Sequence, residues 1–543
     1  MSKLPDLSPK AKPEFVDAES CKAWLGHVPL ANVGTAQYQL LGQLEEFNRF
    51  QTPAANRLAV METIREAVNF VQIEQAKRFT NRPLPMAEAE STVFEDTIDL
   101  WEEMRVGYLR CLESAITGEA VMRTQAALIC QRALAYSGLR MFHHFRAYRE
   151  VPPSDWRGLH EVYAAAERLK VAEEAVKDFL NRDVHDTSPR IAYARAVLMA
   201  MANPNELNQR QLTFVTFLLE RWASKLEVER EPIDEDDEID PLVAELGGES
   251  CPERMESPGA ELKQPRYLDT RKIAKSLRNR VGLLRKGESP SKLALGEDCV
   301  QPSCEQLLVF LYRQWCQPKS GRATDRKRAG ATAEVACELP AIHYYLSGRA
   351  FRQPSGAGAE QAELSKKQQE EIATFGRVST RDEDDYSEAH GFTLERWHVE
   401  DESASGLHIV RNAADPGRRY THGQLLVVRP GDAKTFLLGQ IRWLMAADNG
   451  DLHAGIRLLP GLPAATSVRP TGLNAQQEKY IQGLSLTAVE ALKSPPCLVL
   501  PVGWFKPGRI IEVFVDRPVR VKLAELVERG NDFERVAYEI LPN

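Results

Sequence analysis

The chain changes its apolar period partway along, and that change limits its fold more than any other feature. From about residue 36 to 226, apolar side chains recur at three- and four-residue steps, as in Leu58, Met61, Ile64, Val68 and Val71. Such steps gather them on one stripe of a helix. Leu100, Met104, Tyr108 and Leu112 repeat the pattern, as do Leu207, Leu212, Val215, Phe217, Leu218 and Trp222. Short breaks at Pro152-Pro153-Ser154 and Asn203-Pro204-Asn205 suggest a bundle. No fixed period supports a solenoid.

Beyond Gly330 the texture becomes short β runs with turn signals: Thr332–His343, Thr393–Val399, Leu407–Arg411, Gln424–Val428, Phe436–Leu444 and His453–Leu459. Asn449-Gly450, between the last two, is a strong hairpin signal. Six such runs predict a small antiparallel barrel or sandwich. The expected fold class is therefore α+β. A helical bundle spans 1–226, and an acidic flexible linker containing EPIDEDDEID spans 227–262. A helix pair follows over 263–318, then a barrel over 319–470 with a polar insertion at 351–389. A C-terminal α/β extension over 471–543 is expected to carry a helix at Gln476–Leu492.

Composition narrows the function. A net charge of −8 over 543 residues argues against binding a nucleic-acid polymer, which needs a broad basic field. The N-terminus lacks the apolar core of a signal peptide, and no run of about 18 apolar residues predicts a membrane span. The nine cysteines form no C-x-x-C pair, and Cys299 and Cys304 lack a second ligand pair for zinc. Free thiols, a reducing compartment and a cytoplasmic location are the expectation. No Walker, H-E-x-x-H or G-x-S-x-G string occurs, so neither an enzyme, a metal site nor a cofactor is expected. His143-His144 read as surface or core residues. His343, His408 and His453 fall in strands with no nucleophile to serve, and Trp443 reads as barrel core.

One segment carries recognisable chemistry. Asp401, Ser403 and Gly406 form D-x-S-x-x-G after one strand and before another. At spacing two on extended backbone, Asp401 and Ser403 point the same way, offering a carboxylate acceptor beside a hydroxyl. That pair suits the N–H edge of a guanine. Gly406 permits a positive-φ turn or a close backbone approach.

Here the sequence resembles the PilZ domain family, whose signature joins R-x-x-x-R to [D/N]-x-S-x-x-G. Gly423-Gln424-Leu425-Leu426, Gly439-Gln440-Ile441-Arg442-Trp443 and Ala454-Gly455-Ile456-Arg457-Leu458 match its later strands. The resemblance covers roughly 150 residues. It implies a six-stranded β-barrel and the ligand cyclic di-GMP, within the arrangement of large proteobacterial receptors that have a helical N-terminal half.

Two R-x-x-x-R strings precede Asp401. Arg322 and Arg326, continuing to Arg328, lie directly before the first strand, where the family places its arginines, but 75 positions before Asp401. Arg377 and Arg381 stand at the more usual gap, but acidic residues follow them instead of a strand. The first pair is preferred. A guanidinium grips a phosphate or the Hoogsteen edge of guanine bidentately, each charge-assisted bond being worth about 1.5–3 kcal/mol. The resemblance thus implies a receptor that relays messenger level to a protein partner through its helices, in surface attachment, pilus function or motility. A degenerate PilZ scaffold without nucleotide, an adaptor acting through its helices and an enzyme with an unfamiliar site are the rival readings.

Overall fold

The computed structural model describes residues 4–233, 242–254, 262–296, 299–317, 327–354, 387, 389–471 and 478–542. The chain falls into two compact units, Met1–Ala323 and Thr324–Asn543.

The first unit is mostly helical. Its longest helix, Glu88–Thr117, packs against Val33–Arg49, Ala54–Ala76 and Ala126–Arg146. It starts where the Glu90 carboxylate accepts the Ala87 N–H at 2.8 Å, and it ends at Gly118, whose φ of 101° a side chain would resist. Its apolar stripe buries Trp101, Met104 and Tyr108 against Met61 and Tyr136 in one continuous core. A hairpin of β1 (Val176–Lys177) and β2 (Asp186–Thr187) interrupts the expected run of helix. It delivers Asp178 into that core, where the carboxylate meets Arg65 at 2.7 Å and Arg132 at 3.2 Å. Arg132 in turn reaches Glu62 at 3.0 Å.

The acidic segment 227–262 departs from the expected linker. Its described residues hold β3 (Glu227–Glu229), β4 (Leu242–Glu245) and β5 (Glu253–Arg254), which join β6 (Pro265–Asp269) in a four-stranded sheet. Leu242 and Ala244, which follow the acidic run, are buried in the helical core. Helices Arg271–Arg285 and Ser303–Cys316 bury Ile273, Leu277, Leu308 and Trp315 in the same core. Cys299 and Cys304 are joined as a disulfide, correcting the expectation of free thiols at these two positions. Their separation of five residues suffices for a small ring. Among the described residues, no helix is long and apolar enough to cross a membrane.

The second unit holds two closed antiparallel barrels. The first comprises β7 (Lys327–Cys337), β8 (Glu395–Ser403), β9 (Gly406–Arg411), β10 (Leu425–Pro430), β11 (Leu437–Ala446) and β12 (Leu452–Leu458). Five of these match expected runs. The first run instead stops at Cys337, because Glu338 takes φ 71° and Leu339-Pro340 opens a helix to Ser347. His343 therefore lies on that helix and not in a strand.

The C-terminal extension is a second barrel and not an α/β appendage. Its strands are β13 (Pro463–Pro470), β14 (Ile481–Leu486), β15 (Cys497–Pro501), β16 (Ile510–Phe514), β17 (Pro518–Arg529) and β18 (Phe533–Ile540). The helix expected at Gln476–Leu492 is strand β14 in its described part, followed by one 3-10 turn at Glu490–Leu492. Counting each barrel's strands one to six along the chain, both close in the order 1-2-3-6-5-4. Between them lies a shared core of Leu425, Val427 and Leu438 from the first, Ile342 from the helix, and Leu484, Val499 and Phe533 from the second. Two hydrogen bonds fasten it: the Asn531 N–H donates to the Gly423 carbonyl and the Leu425 N–H to the Asp532 carboxylate, each at 2.9 Å.

Candidate functional site

Strand register assembles the site. Across the outer face of the first barrel, Arg328 pairs with Asp401, Asp401 with His408, His408 with Gly455, and Gly455 with Trp443. Directly opposed residues on neighbouring strands share a face, so one transverse row collects Asp401, His408, Trp443 and Gly455, with the Arg328 backbone in register beside it. The adjoining row runs through Ser403, Gly406, Arg457 and Gln440.

Two β-bulges put Asp401 and Trp443 on the outside. On β8 Trp397 and Val399 are buried, and strict alternation would send Asp401 inward as well. The bulge between Val399 and Asp401 adds one residue and turns Asp401 out beside Ser403. On β11 the bulge between Ile441 and Trp443 does the same for the indole. Trp443 is thus a half-buried outer-face residue, which corrects its reading as barrel core. A third bulge lies beside Arg328, between it and Ala331.

Close packing fixes the parts. The indole of Trp443 lies across Gly455, where an added Cβ would come within 1.8 Å of Nε1. The His408 ring stands 5.0 Å from that indole. His408 Nδ1 lies 3.7 Å from Asp401 Oδ2, and its Nε2 lies 3.2 Å from His453 Nδ1. Ser403 Oγ donates to the Gly406 carbonyl at 3.2 Å, closing the tight turn through Ala404-Ser405. Of the two roles open to Gly406, the structure uses close approach: a Cβ there would meet the Ile456 carbonyl oxygen at 2.3 Å. Arg457, paired with Gly406, reaches Gln440 Oε1 at 3.2 Å and forms an ion pair with Glu528 of the second barrel.

Within the barrel, Arg411 and Glu395 form a buried pair at 2.8 Å, with Arg411 against the rings of Trp397 and Tyr420.

The structure brings together Asp401, Ser403 and Gly406 among the residues expected from sequence, and places the Arg328 backbone in register with Asp401. Arg322, Arg326, Arg377 and Arg381 lie outside the described residues, as does most of the insertion 351–389. Sequence reasoning missed the partnership of His408 and His453, which lie 45 positions apart and meet only through the β9–β12 register. The row offers hydrogen-bond acceptors from Asp401 beside a flat aromatic face, which suits a planar heterocycle with N–H groups on its edge.

Known protein families match two parts of the chain. Residues 19–233 match the family described as the N-terminal domain of the cyclic-di-GMP receptor FimW. Residues 466–541 match the FimW C-terminal beta-barrel domain, so the two matches together take in more than half of the chain. The cyclic-di-GMP receptor FimW of Pseudomonas aeruginosa is 24% identical over 545 residues, covering 92% of this chain and 86% of that protein.

Proposed function

We propose that the chain is a receptor of the kind both family matches describe, and that its first barrel binds cyclic di-GMP on the row through Asp401 and Trp443. The observation that carries the reading is the pair of bulges that turn Asp401 and Trp443 onto one outer face. Asp401 with Ser403 reads the N–H edge of a guanine, and the Trp443 indole supports its plane. Gly406 keeps β9 close to β12. Arg322, Arg326 and Arg328 grip phosphate and the Hoogsteen edge, with Arg377 and Arg381 as the alternative pair. The protein binds its nucleotide without transforming it, needs no cofactor, acts in the cytoplasm and passes the signal to a protein partner through its helical unit.

Calorimetric titration of the full chain with cyclic di-GMP, using GTP as control, tests this. Saturable binding is expected, weakened about tenfold to a hundredfold by Asp401→Ala or Arg326→Ala and spared by Arg381→Ala. A loss in Arg381→Ala with Arg326→Ala unaffected would move the grip to the second arginine pair. Absence of binding would leave a scaffold acting through its helices.

A further inference from the structure

The hexad gives Asp401 and Ser403 a purpose but none to the two imidazoles beside them. His408 stands between Asp401 and His453, 3.7 Å from the carboxylate through Nδ1 and 3.2 Å from the second ring through Nε2. Both rings are partly exposed on the same outer face as the row. The bond between the rings holds one proton, carried by either nitrogen. With both rings neutral, His453 donates from Nδ1 to His408 Nε2, and His408 keeps its own proton on Nδ1 toward Asp401. One further proton fits. His408 then becomes an imidazolium that donates to His453 through Nε2 while Nδ1–H still faces the carboxylate. A second extra proton does not fit, because two N–H groups would oppose each other at 3.2 Å. The pair is built to hold a single added charge next to Asp401.

Resting on the receptor reading above, we propose that His408, backed by His453, is a positioning residue for Asp401, and that binding of the cyclic dinucleotide draws one proton onto this pair. The ligand carries two phosphodiester charges, and Asp401 adds a third negative charge on the same surface. Like charges held together in a partly desolvated site repel, and a positive charge between them relieves the repulsion. Among the described residues, register and distance bring the following charged or titratable groups toward His408. Strand β8 supplies Asp401, flanked by Glu400 and Glu402, and β12 supplies His453. Strand β7 places Arg328 one strand beyond Asp401, and β11 contributes the uncharged indole of Trp443 with Arg442 at the bulge beside it. Imidazole is the side chain whose charge changes near neutral pH, so it is the group on this face suited to the task. The binding constant should then rise as pH falls from about 8 to about 6. Uptake of one proton limits the slope to about tenfold per pH unit.

The test is calorimetric titration of the full chain with cyclic di-GMP at about pH 6, 7 and 8, each in two buffers of different ionisation enthalpy. Affinity is expected to tighten about three- to tenfold from the high to the low end. The apparent heat is expected to differ between buffers, as proton uptake requires. Both effects should disappear in His408→Gln and in His453→Gln, whereas a merely structural change would lower affinity equally at every pH. Wild-type binding that is flat across the range, with the same heat in both buffers, would overturn the proposal and leave the receptor reading standing. Absence of saturable binding at every pH would overturn both. Should either variant fail to fold, the wild-type buffer comparison still decides.

Discussion

Trp443 shows what a single inserted residue does to the meaning of a side chain. Its spacing from Ile441 is that of an inward-facing strand residue, and only the bulge between them turns it outward over Gly455. Bulges leave no dependable mark in one sequence, so the outward turn of the indole was not legible there, whereas the D-x-S-x-x-G hexad was, because it is local. The same reason hid the imidazole pair, whose members meet only after the barrel closes. Stacking of a base on an aromatic side chain is worth about 1–3 kcal/mol by alanine substitution. Trp443→Ala is therefore expected to weaken cyclic di-GMP binding by about five- to a hundredfold. Titration of the folded variant, checked by circular dichroism, measures this. Binding at the wild-type constant would remove the indole from the site.

Among the elements, the hairpin β1–β2 is small but placed where it matters. Burial would raise the Asp178 carboxyl, but Arg65 and Arg132 outweigh it and hold the group below the usual carboxylate range. Glu62 behaves alike, with burial opposed chiefly by Arg132. Both folded-state values are depressed, so their stabilisation is present above the unfolded carboxylate values of about 4 and is lost as pH falls through the lower folded ones. Thermal melts of the helical unit should accordingly drop steeply below about pH 4. Removing one guanidinium leaves a buried carboxylate short of partners, so Arg132→Met should cost about 3–5 kcal/mol near neutral pH and flatten the acid limb. Denaturant titration at both pH values checks it, and an unchanged acid limb would count against the pairing. The elements also show where pattern reading stops. The steps Ile481, Leu484 and Val489 resemble a helix, yet pairing of Ile481–Leu486 with β13 and β15 makes the segment a strand. Short apolar runs carry both periods, and tertiary pairing chooses between them. Asn449-Gly450, by contrast, sits in its hairpin with Gly450 at φ 87°, a requirement that local chemistry does announce.

At the scale of the molecule, the core between the two barrels draws side chains from both, which predicts that they unfold together. Phe533 lies in the second barrel yet is buried in that shared core beside Leu425 and Val427. Phe533→Ala should remove about 3–5 kcal/mol from the pair. Scanning calorimetry should then show one barrel transition moved to lower temperature, and two separated transitions would argue that the barrels unfold independently. Their common winding has another consequence. Where the first barrel joins its second and third strands through Ala404-Ser405 inside the hexad, the second uses the longer stretch 487–496, which lacks D-x-S-x-x-G. On the proposed reading of the hexad, the molecule carries its own blank: the same six-strand frame, in the same solution and at the same concentration, without that hexad. Amide exchange followed on both barrels at once would calibrate itself, since a nucleotide effect common to the two frames reports on salt and solvent, and the difference between them reports on recognition.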